Sequence, residues 1–213
     1  MKTLDNSDII SKNVIFRADL NVPVFNNKIT DYSRIDTIIP SIKKLSKKKN
    51  KIFIVTHFGR PGGIANEQLS VNFLSEELRK KLKISKIHFL KTFNNEEIKK
   101  KQLEMRDGEV CLFENVRFYK EEESNKNYFS KKLADNFEIY VNDAFSASHR
   151  NHASITGITN FLPSYAGLSF SKEVENLDNF LENSKKPNMA IIGGSKVSTK
   201  IKVLENLVEI FDT

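Results

Sequence analysis

Residues 14–23 of the chain read Val14-Ile-Phe-Arg-Ala-Asp-Leu-Asn-Val-Pro23. The first three side chains are apolar and in a strand would face both sides of the sheet, which is typical of a strand buried in a parallel sheet. Polar and apolar residues then alternate, so Arg17, Asp19 and Asn21 project to the same side and are candidates to hold a ligand. An Asx turn into Val22-Pro23 explains Asp19 and Asn21 without any ligand, and both interpretations are open.

Apolar runs of the same kind recur along the chain, and longer segments with helical spacing separate them. This alternation predicts a doubly wound α/β fold, a parallel sheet with helices on both faces joined by right-handed crossovers. Ligands bind such domains at the carboxyl ends of the strands, so functional residues are expected just after each strand. The predicted strands are Val14–Ala18, Ile52–Thr56, Ile87–Phe89, Val110–Phe113, Ile139–Asn142 and Met189–Gly193, and the predicted helices cover residues 35–45, 71–82, 95–103, 128–136, 172–181 and 197–211.

The charged residues and the single cysteine narrow the class of protein. The net charge is +7, but the lysines lie among acids on helix-like segments, which favours a solvated surface over a nucleic-acid interface. Only seven of the 34 basic residues are arginine, whose planar guanidinium binds carboxylate and phosphate with a geometry that ammonium lacks. No apolar run approaches the roughly 20 residues of a membrane span. Cys111 lies in an apolar run, which favours a cytosolic protein without disulfides or a cysteine metal cluster.

Five arginines lie at or just beyond predicted strand ends or at the start of the following helix, and three histidines accompany them. If the strand ends meet at one edge of the sheet, these cations converge on a small phosphate or carboxylate ligand. The alternative is that each arginine only pairs with a neighbouring carboxylate, as Arg17 with Asp19 or Arg117 with Glu114. The arginines are Arg17, Arg34, Arg60, Arg117 and Arg150, and the histidines are His57, His149 and His152.

Two loops carry further signals for ligand binding. The segment His57-Phe58-Gly59-Arg60 follows a predicted strand and leads into two more glycines, which permit close approach of a ligand to the backbone. His57 either donates to an anion or caps the strand. The last predicted strand leads into Gly193-Gly194-Ser195-Lys196, with Lys200 one turn further on. This strand, glycine turn and helix amino terminus predict a phosphate site, without the spacing of a P-loop.

One polar break, at residues 183–187, precedes the last predicted strand. It predicts three parts: an anion-binding α/β domain over residues 1–170, an interdomain helix and hinge over 171–186, and the incomplete start of a second α/β domain over 187–213. One strand and one helix cannot bury a strand that is apolar on both faces. We therefore expect the sequence to be cut or naturally abbreviated.

Five segments resemble the phosphoglycerate kinase family in order and separation. They are Arg17-Ala-Asp-Leu-Asn-Val-Pro23, Thr56-His-Phe-Gly-Arg-Pro61, Leu112-Phe-Glu-Asn-Val-Arg-Phe-Tyr-Lys-Glu-Glu-Glu123, Val141-Asn-Asp-Ala-Phe-Ser-Ala-Ser-His-Arg-Asn-His-Ala-Ser154 and Ile192-Gly-Gly-Ser-Lys-Val-Ser-Thr-Lys200. The resemblance implies a Rossmann-like amino-terminal domain that binds the glycerate and a second domain that binds the nucleotide. It also implies glycolytic phosphoryl transfer between 1,3-bisphosphoglycerate and ADP, which gives 3-phosphoglycerate and ATP.

The resemblance further implies a role for each matching residue. Arg34 and Lys196 are implied as catalytic, and Gly194, Ser195 and Lys200 as nucleotide-binding. The implied cofactor is ATP or ADP with Mg²⁺, whose acidic ligand in the family has no counterpart before Thr213, so no metal ligand is expected in this chain. The implied phosphoglycerate-binding residues are Asp19, Asn21, Arg34, His57, Phe58, Gly59, Arg60, Arg117 and Arg150, with Arg17 and His152 close by.

Two hypotheses follow. The first is a cytoplasmic, monomeric phosphoglycerate kinase represented by its amino-terminal half, with phosphoglycerate and ATP or ADP as partners and neither nucleic acid nor membrane. The alternative is a non-catalytic phosphoglycerate-binding fragment that lacks the nucleotide domain. A basic nucleic-acid binder rests on the net charge alone.

Overall fold

The structure is a computed structural model that describes residues 1–26, 28–183 and 186–193, with residues 201, 205, 207, 208, 211 and 212 beyond them. The chain divides into two compact units, Met1–Ser171 and Lys172–Thr213, each of which is described by itself. The predicted boundaries at residues 170 and 186 stay predictions. Within the described part, no helix is both long and apolar enough to cross a bilayer.

The strands of the first unit are β1 (Asn13–Arg17), β2 (Val24–Phe25), β3 (Lys28–Ile29), β4 (Lys51–Val55), β5 (His88–Leu90), β6 (Val110–Phe113), β7 (Ile139–Asn142) and β8 (Ser164–Ala166). Six of them form one parallel sheet in the order β5-β6-β4-β1-β7-β8, while β2 and β3 pair as a short antiparallel hairpin. β1 lies inside the sheet, β4, β5 and β6 form the side next to it, and β7 and β8 form the other side. The predicted doubly wound parallel sheet is confirmed.

The helices described are α1 (Ser33–Lys47), α2 (Leu74–Leu82), α3 (Asn95–Glu104), α4 (Lys120–Glu123), α5 (Asn127–Ala134) and α6 (Leu168–Asn183). Local caps explain some of these bounds. Asn94 Oδ1 accepts hydrogen bonds from the backbone N–H groups of Glu96 and Glu97, at 2.9 and 3.1 Å, so α3 begins where its sequence predicts. α2 begins three residues later than predicted, and the Val71 N–H that precedes it donates to Glu114 Oε1 at 2.9 Å.

Residues distant in sequence determine where α6 begins. It starts at Leu168, before the predicted start at residue 172. Ser41 Oγ accepts a hydrogen bond from the Leu168 N–H at 3.0 Å, and Asp143 Oδ1 accepts one from the Phe170 N–H at 2.9 Å. Ser41 Oγ in turn donates to Asp143 Oδ2 at 2.6 Å. Both acceptors are buried, and burial raises the pKa of Asp143. These two side chains satisfy the first N–H groups of the helix and so extend it backwards.

The central strands place alternate side chains in two apolar clusters on opposite faces of the sheet. Val14 and Phe16 of β1 pack with α1 and α2 on one face, while Ile15 packs with α3 and α5 on the other. Burial on both faces is what the continuous apolar runs predict. β4 and β6 follow the same alternation, with Ile52, Ile54, Val110 and Leu112 on the first face and Phe53, Val55, Cys111 and Phe113 on the second.

The predicted strand Met189–Gly193 is wrong, because no strand forms there. Met189 and Ile191 are exposed, with 62% and 89% of their surface accessible. A strand that is apolar on both faces needs neighbours in a sheet, and the described part of the second unit contains no sheet. Instead, Asp212 accepts hydrogen bonds from Lys186 Nζ at 2.8 Å and from the Asn188 N–H at 3.1 Å. The helix predicted over residues 197–211 lies mostly outside the described residues.

Replacement of Gly167, which precedes α6, should destabilise the fold. A Cβ at this position would lie 2.3 Å from Cγ of Asp143, a side chain held by Ser41 and Phe170. We expect Gly167→Ala to lower the free energy of unfolding by about 2–3 kcal/mol, measured by urea denaturation. Gly62→Ala is the control, because no atom lies within 4 Å of its added Cβ and only its φ of +68° costs energy, about 1 kcal/mol. Equal losses in the two variants would contradict the prediction.

Candidate anion-binding site

Four adjacent strands, in the order β6-β4-β1-β7, bring the predicted cations to one edge of the sheet. Arg17 is the last residue of β1, and His57 follows the end of β4 by two residues. Arg117 lies in a 3-10 turn directly after β6, and Arg150 lies in the long loop after β7. All four residues therefore lie at the carboxyl edge of the sheet, where a doubly wound fold places its ligand.

Three of the arginines surround one open cleft. The cleft has a volume of about 420 Å³ and is lined by Arg60, Arg117, Glu123, Arg150 and His152. The guanidinium groups of Arg60 and Arg150 make no hydrogen bond or ion pair with any residue that the structure describes. Because a guanidinium group carries five donors, these two side chains are free to bind an anion in the cleft. The pairing of each arginine with a neighbouring carboxylate is therefore wrong for Arg60 and Arg150.

Arg117 is held more tightly than the other two. It is buried, and its Nη1 donates to the Gly59 carbonyl at 2.8 Å. Its Nε lies 3.2 Å from Glu123 Oε1 as an ion pair, yet this buried nitrogen makes no hydrogen bond of good geometry. The expected alternative partner, Glu114, instead accepts from Ser70 Oγ at 2.7 Å. Arg117 therefore keeps an unsatisfied donor at the cleft.

A second polar group lies where β1 runs into the next loop. The Asp19 carboxylate accepts from Arg34 and from Ser146, and its Oδ1 accepts from the Asn21 N–H at 3.2 Å. Burial alone would raise the pKa of Asp19, but the Ser146 hydrogen bond, together with smaller effects that include the charge of Arg34 and the Asn21 N–H, outweighs it, so the pKa is lowered. The bond to Asn21 is the Asx turn that the sequence allows. Asp19 thus remains charged and fixes the position of Arg34.

The loop after β4 is cross-linked through its backbone. Gly59 has a φ of +61°, its N–H donates to Asn21 Oδ1 at 2.9 Å, and its carbonyl accepts from Arg117. Phe58 is partly buried, and its ring packs against Phe73 with the centroids 5.4 Å apart. These contacts join the end of β1, the loop after β4 and the turn after β6.

The hydrogen bonds of His57 determine its tautomer. The side chain is buried, and its Nδ1 lies 3.2 Å from Arg17 Nη2. Because an arginine side chain only donates, Nδ1 accepts and Nε2 carries the proton. Burial, and after it the charge of Arg17, lowers the pKa of His57 to about 3. His57 is therefore a neutral donor through Nε2–H at neutral pH.

Arg17 holds the loops of the site together through buried hydrogen bonds. It is buried, and its Nε donates to Ser154 Oγ at 2.8 Å while Nη1 donates to the Ala18 carbonyl. Ser154 Oγ then donates to Glu122 Oε1 at 2.6 Å, and the Ser154 N–H donates to Glu122 Oε2 at 2.9 Å. Burial lowers the pKa of Arg17 and raises that of Glu122, and their opposite charges oppose both shifts. Arg17 does not pair directly with Asp19, so that alternative is wrong.

The two remaining histidines differ. His149 is exposed, whereas His152 lines the cleft, with Nδ1 3.8 Å from Glu122 Oε1. Burial lowers the pKa of His152.

Among the residues that hold the site, sequence reasoning missed Ser146, Ser154, Glu122 and Glu123. The only indication of these four residues in the sequence was that they lie within two of the five segments quoted above.

Comparison with known proteins decides the family. The family model described as phosphoglycerate kinase matches residues 4–213. The chain belongs to the phosphoglycerate kinase family. It is 44% identical to a phosphoglycerate kinase of Brucella melitensis over 211 residues, which cover 99% of this chain and 53% of that relative. It is 45% identical to one of Sinorhizobium fredii over 212 residues, again 99% and 53% of the two chains.

Solved structures give the same result. Phosphoglycerate kinase of Coxiella burnetii matches with a TM-score of 0.85 and 37% identity, over 99% of this chain and 52% of that one. Phosphoglycerate kinase of Pyrococcus horikoshii matches with a TM-score of 0.86 and 29% identity, over 98% and 53%. The chain spans about half the length of the phosphoglycerate kinases it matches.

The residues expected to bind the nucleotide are not among the described ones. Gly194, Ser195, Lys196 and Lys200 fall outside the described residues, so their roles stay predictions. Across the part of the chain that the structure describes, no group of three or more histidine, cysteine, aspartate or glutamate side chains is arranged to hold a metal ion.

Acid should destabilise the chain through His57. A histidine in the unfolded chain has a pKa of about 6.5, whereas that of folded His57 is about 3. Between these values the unfolded chain binds the extra proton, so stability falls as the pH drops below about 6.5, by at most about 1.4 kcal/mol per pH unit for one proton. Urea denaturation between about pH 7 and pH 5 measures the slope.

Two variants separate His57 from other groups. His57→Gln should show a smaller slope of unfolding free energy against pH than the wild type, while His149→Gln, at an exposed position, should keep the wild-type slope. An unchanged slope in His57→Gln would show that this histidine is not held neutral in the folded state.

Proposed function

We propose that this chain carries the phosphoglycerate site of a phosphoglycerate kinase, which transfers a phosphoryl group reversibly between 1,3-bisphosphoglycerate and ADP to give 3-phosphoglycerate and ATP. The observation that carries the proposal is the open cleft with three guanidinium groups, two of them without partners among the described residues. Membership of the phosphoglycerate kinase family agrees with it.

The charge of the cleft favours a doubly charged phosphate group. Arg60, Arg117 and Arg150 contribute three positive charges, and Glu123 contributes one negative charge. Guanidinium forks match the oxygens of phosphate, and each charge-assisted hydrogen bond is stronger than one between neutral groups. The half-exposed guanidinium of Arg34, held by Asp19, provides a further cation for the carboxylate of the same ligand.

Phosphoryl transfer needs no general base at this site. In the direction that forms 1,3-bisphosphoglycerate, a carboxylate oxygen of 3-phosphoglycerate attacks the γ-phosphorus of ATP, the new O–P bond forms, and ADP leaves with the electrons of the broken bond. A carboxylate has no proton to lose, so fixed positive charge supplies the stabilisation. His57 contributes an Nε2–H donor rather than a base, because Nδ1 already accepts from Arg17.

The nucleotide part of the proposal concerns residues outside the described ones. Lys196 would stabilise the transferred phosphoryl group, and Gly194, Ser195 and Lys200 would contact the phosphates of ATP. Mg²⁺ bound with ATP neutralises phosphate charge in such reactions. The described residues offer no cluster of ligands for it. We extend the proposal to a monomeric cytoplasmic enzyme, on the basis of the family alone.

Removal of Arg60 should weaken the binding of 3-phosphoglycerate. The side chain lines the cleft and has no partner among the described residues, so its loss removes ligand contacts and leaves the fold intact. We expect the dissociation constant of Arg60→Ala to rise about 10- to 100-fold, measured by calorimetric titration. The dissociation constant of Arg60→Lys should lie between those of the wild type and Arg60→Ala, because lysine keeps the charge but lacks the planar fork of the guanidinium group.

Arg106 provides the matched control. It is exposed and lies before β6, at the opposite edge of the sheet. Arg106→Ala removes the same charge from the chain, and 3-phosphoglycerate binding should stay within about twofold of the wild type. Equal losses in Arg60→Ala and Arg106→Ala would mean that net charge, and not the cleft, attracts the ligand.

A coupled assay with 3-phosphoglycerate and MgATP addresses phosphoryl transfer itself. ADP formation by the purified 213-residue chain that is lost in Lys196→Ala would support kinase activity in this chain. Retained binding of 3-phosphoglycerate with no ADP formation would limit the proposal to binding.

A further inference from the structure

The three consecutive glutamates of α4 lie in three different environments. Glu121 is partly buried and accepts a hydrogen bond from the Tyr128 hydroxyl at 2.6 Å. Glu122 is fully buried and is bound by Ser154. Glu123 leaves 44% of its side chain accessible and faces the cleft, where Arg117 is its only ion-pair partner among the described residues. Only Glu123 places a carboxylate where an anion would bind.

The contact between Glu123 and Arg117 is incomplete. The two charges lie 3.2 Å apart at Nε and Oε1, but the buried Nε makes no hydrogen bond of good geometry. A buried donor without a hydrogen bond is unfavourable. An oxygen in line with the Nε–H bond would therefore bind more favourably than the Glu123 carboxylate does. The half-exposed Glu123, unlike buried Arg117, is able to turn out into solvent.

We propose that Glu123 is an internal counter-ion of the cleft, which neutralises Arg117 when the site is empty and yields its place to an oxygen of the incoming anion. This inference rests on the proposed function, because it deepens the description of the same site. Glu123 opposes every anion that enters, in proportion to the charge of that anion. A ligand that contacts several arginines at once compensates for this repulsion.

A structural role for Glu123 predicts the opposite result. If the carboxylate served to orient Arg117, then its removal would loosen the guanidinium and weaken anion binding. If it is a counter-ion, then its removal strengthens anion binding. The direction of the change therefore separates the two roles.

The test uses Glu123→Gln, with Glu121→Gln as the matched control. Sulfate is the dianion probe and acetate the monoanion probe, and NMR titration of the arginine Nε–H signals gives the dissociation constants at low salt. We expect Glu123→Gln to bind sulfate about three- to tenfold more tightly than the wild type. The gain for acetate should be smaller, because a single charge is repelled less. Glu121→Gln should match the wild type for both probes.

Unchanged or weaker sulfate binding in Glu123→Gln would overturn the inference, as would an equal gain in Glu121→Gln. Arg60→Ala in the same titration distinguishes this failure from failure of the proposed function. If Glu123→Gln gains affinity while Arg60→Ala has no effect, the counter-ion role holds and the three-arginine site is wrong. If Arg60→Ala weakens sulfate binding while Glu123→Gln changes nothing, the site stands and the counter-ion role is wrong.

Discussion

The guanidinium group of Arg17, buried at the end of β1, organises the carboxyl edge of the sheet. Arg17 lies away from water, and a buried cation is tolerated only when its donors are satisfied and an opposite charge lies near. Its partners are Ser154, Ala18 and His57, with the carboxylate of Glu122 behind Ser154. Because these groups come from the loops after β1, β4 and β7 and from α4, the burial of one charge helps to fix the loops that carry His57, Arg150 and His152.

The fold was largely predictable because the central strands are continuous apolar runs. The five predicted strands of the sheet lie within one residue of β1, β4, β5, β6 and β7. The short elements were not predictable. Ser164–Ala166 is a strand of three residues between a proline and a glycine, and it forms through its pairing with β7 and a bridge between Ala166 and Thr3. The start of α6 depends on Ser41 and Asp143, which no local pattern reveals.

The cations of the site were predictable and their partners were not. Arginine is rare in this sequence, so its position after four strands was informative, and strand order then brings those positions together. Hydrogen bonds between loops follow no such rule. In the sequence, Glu122, Glu123 and Ser154 cannot be told apart from solvent-exposed residues. The alternative in which Arg117 pairs with Glu114 is wrong, because Glu114 binds Ser70 and Arg117 lies beside Glu123.

The cap of α6 joins the end of β7 to the start of the helix. Asp143 follows the strand directly and also accepts a hydrogen bond from the first turn of α6. Neither segment keeps this bond if the other unfolds, so the strand end and the first helical turn should open as one cooperative unit in hydrogen exchange.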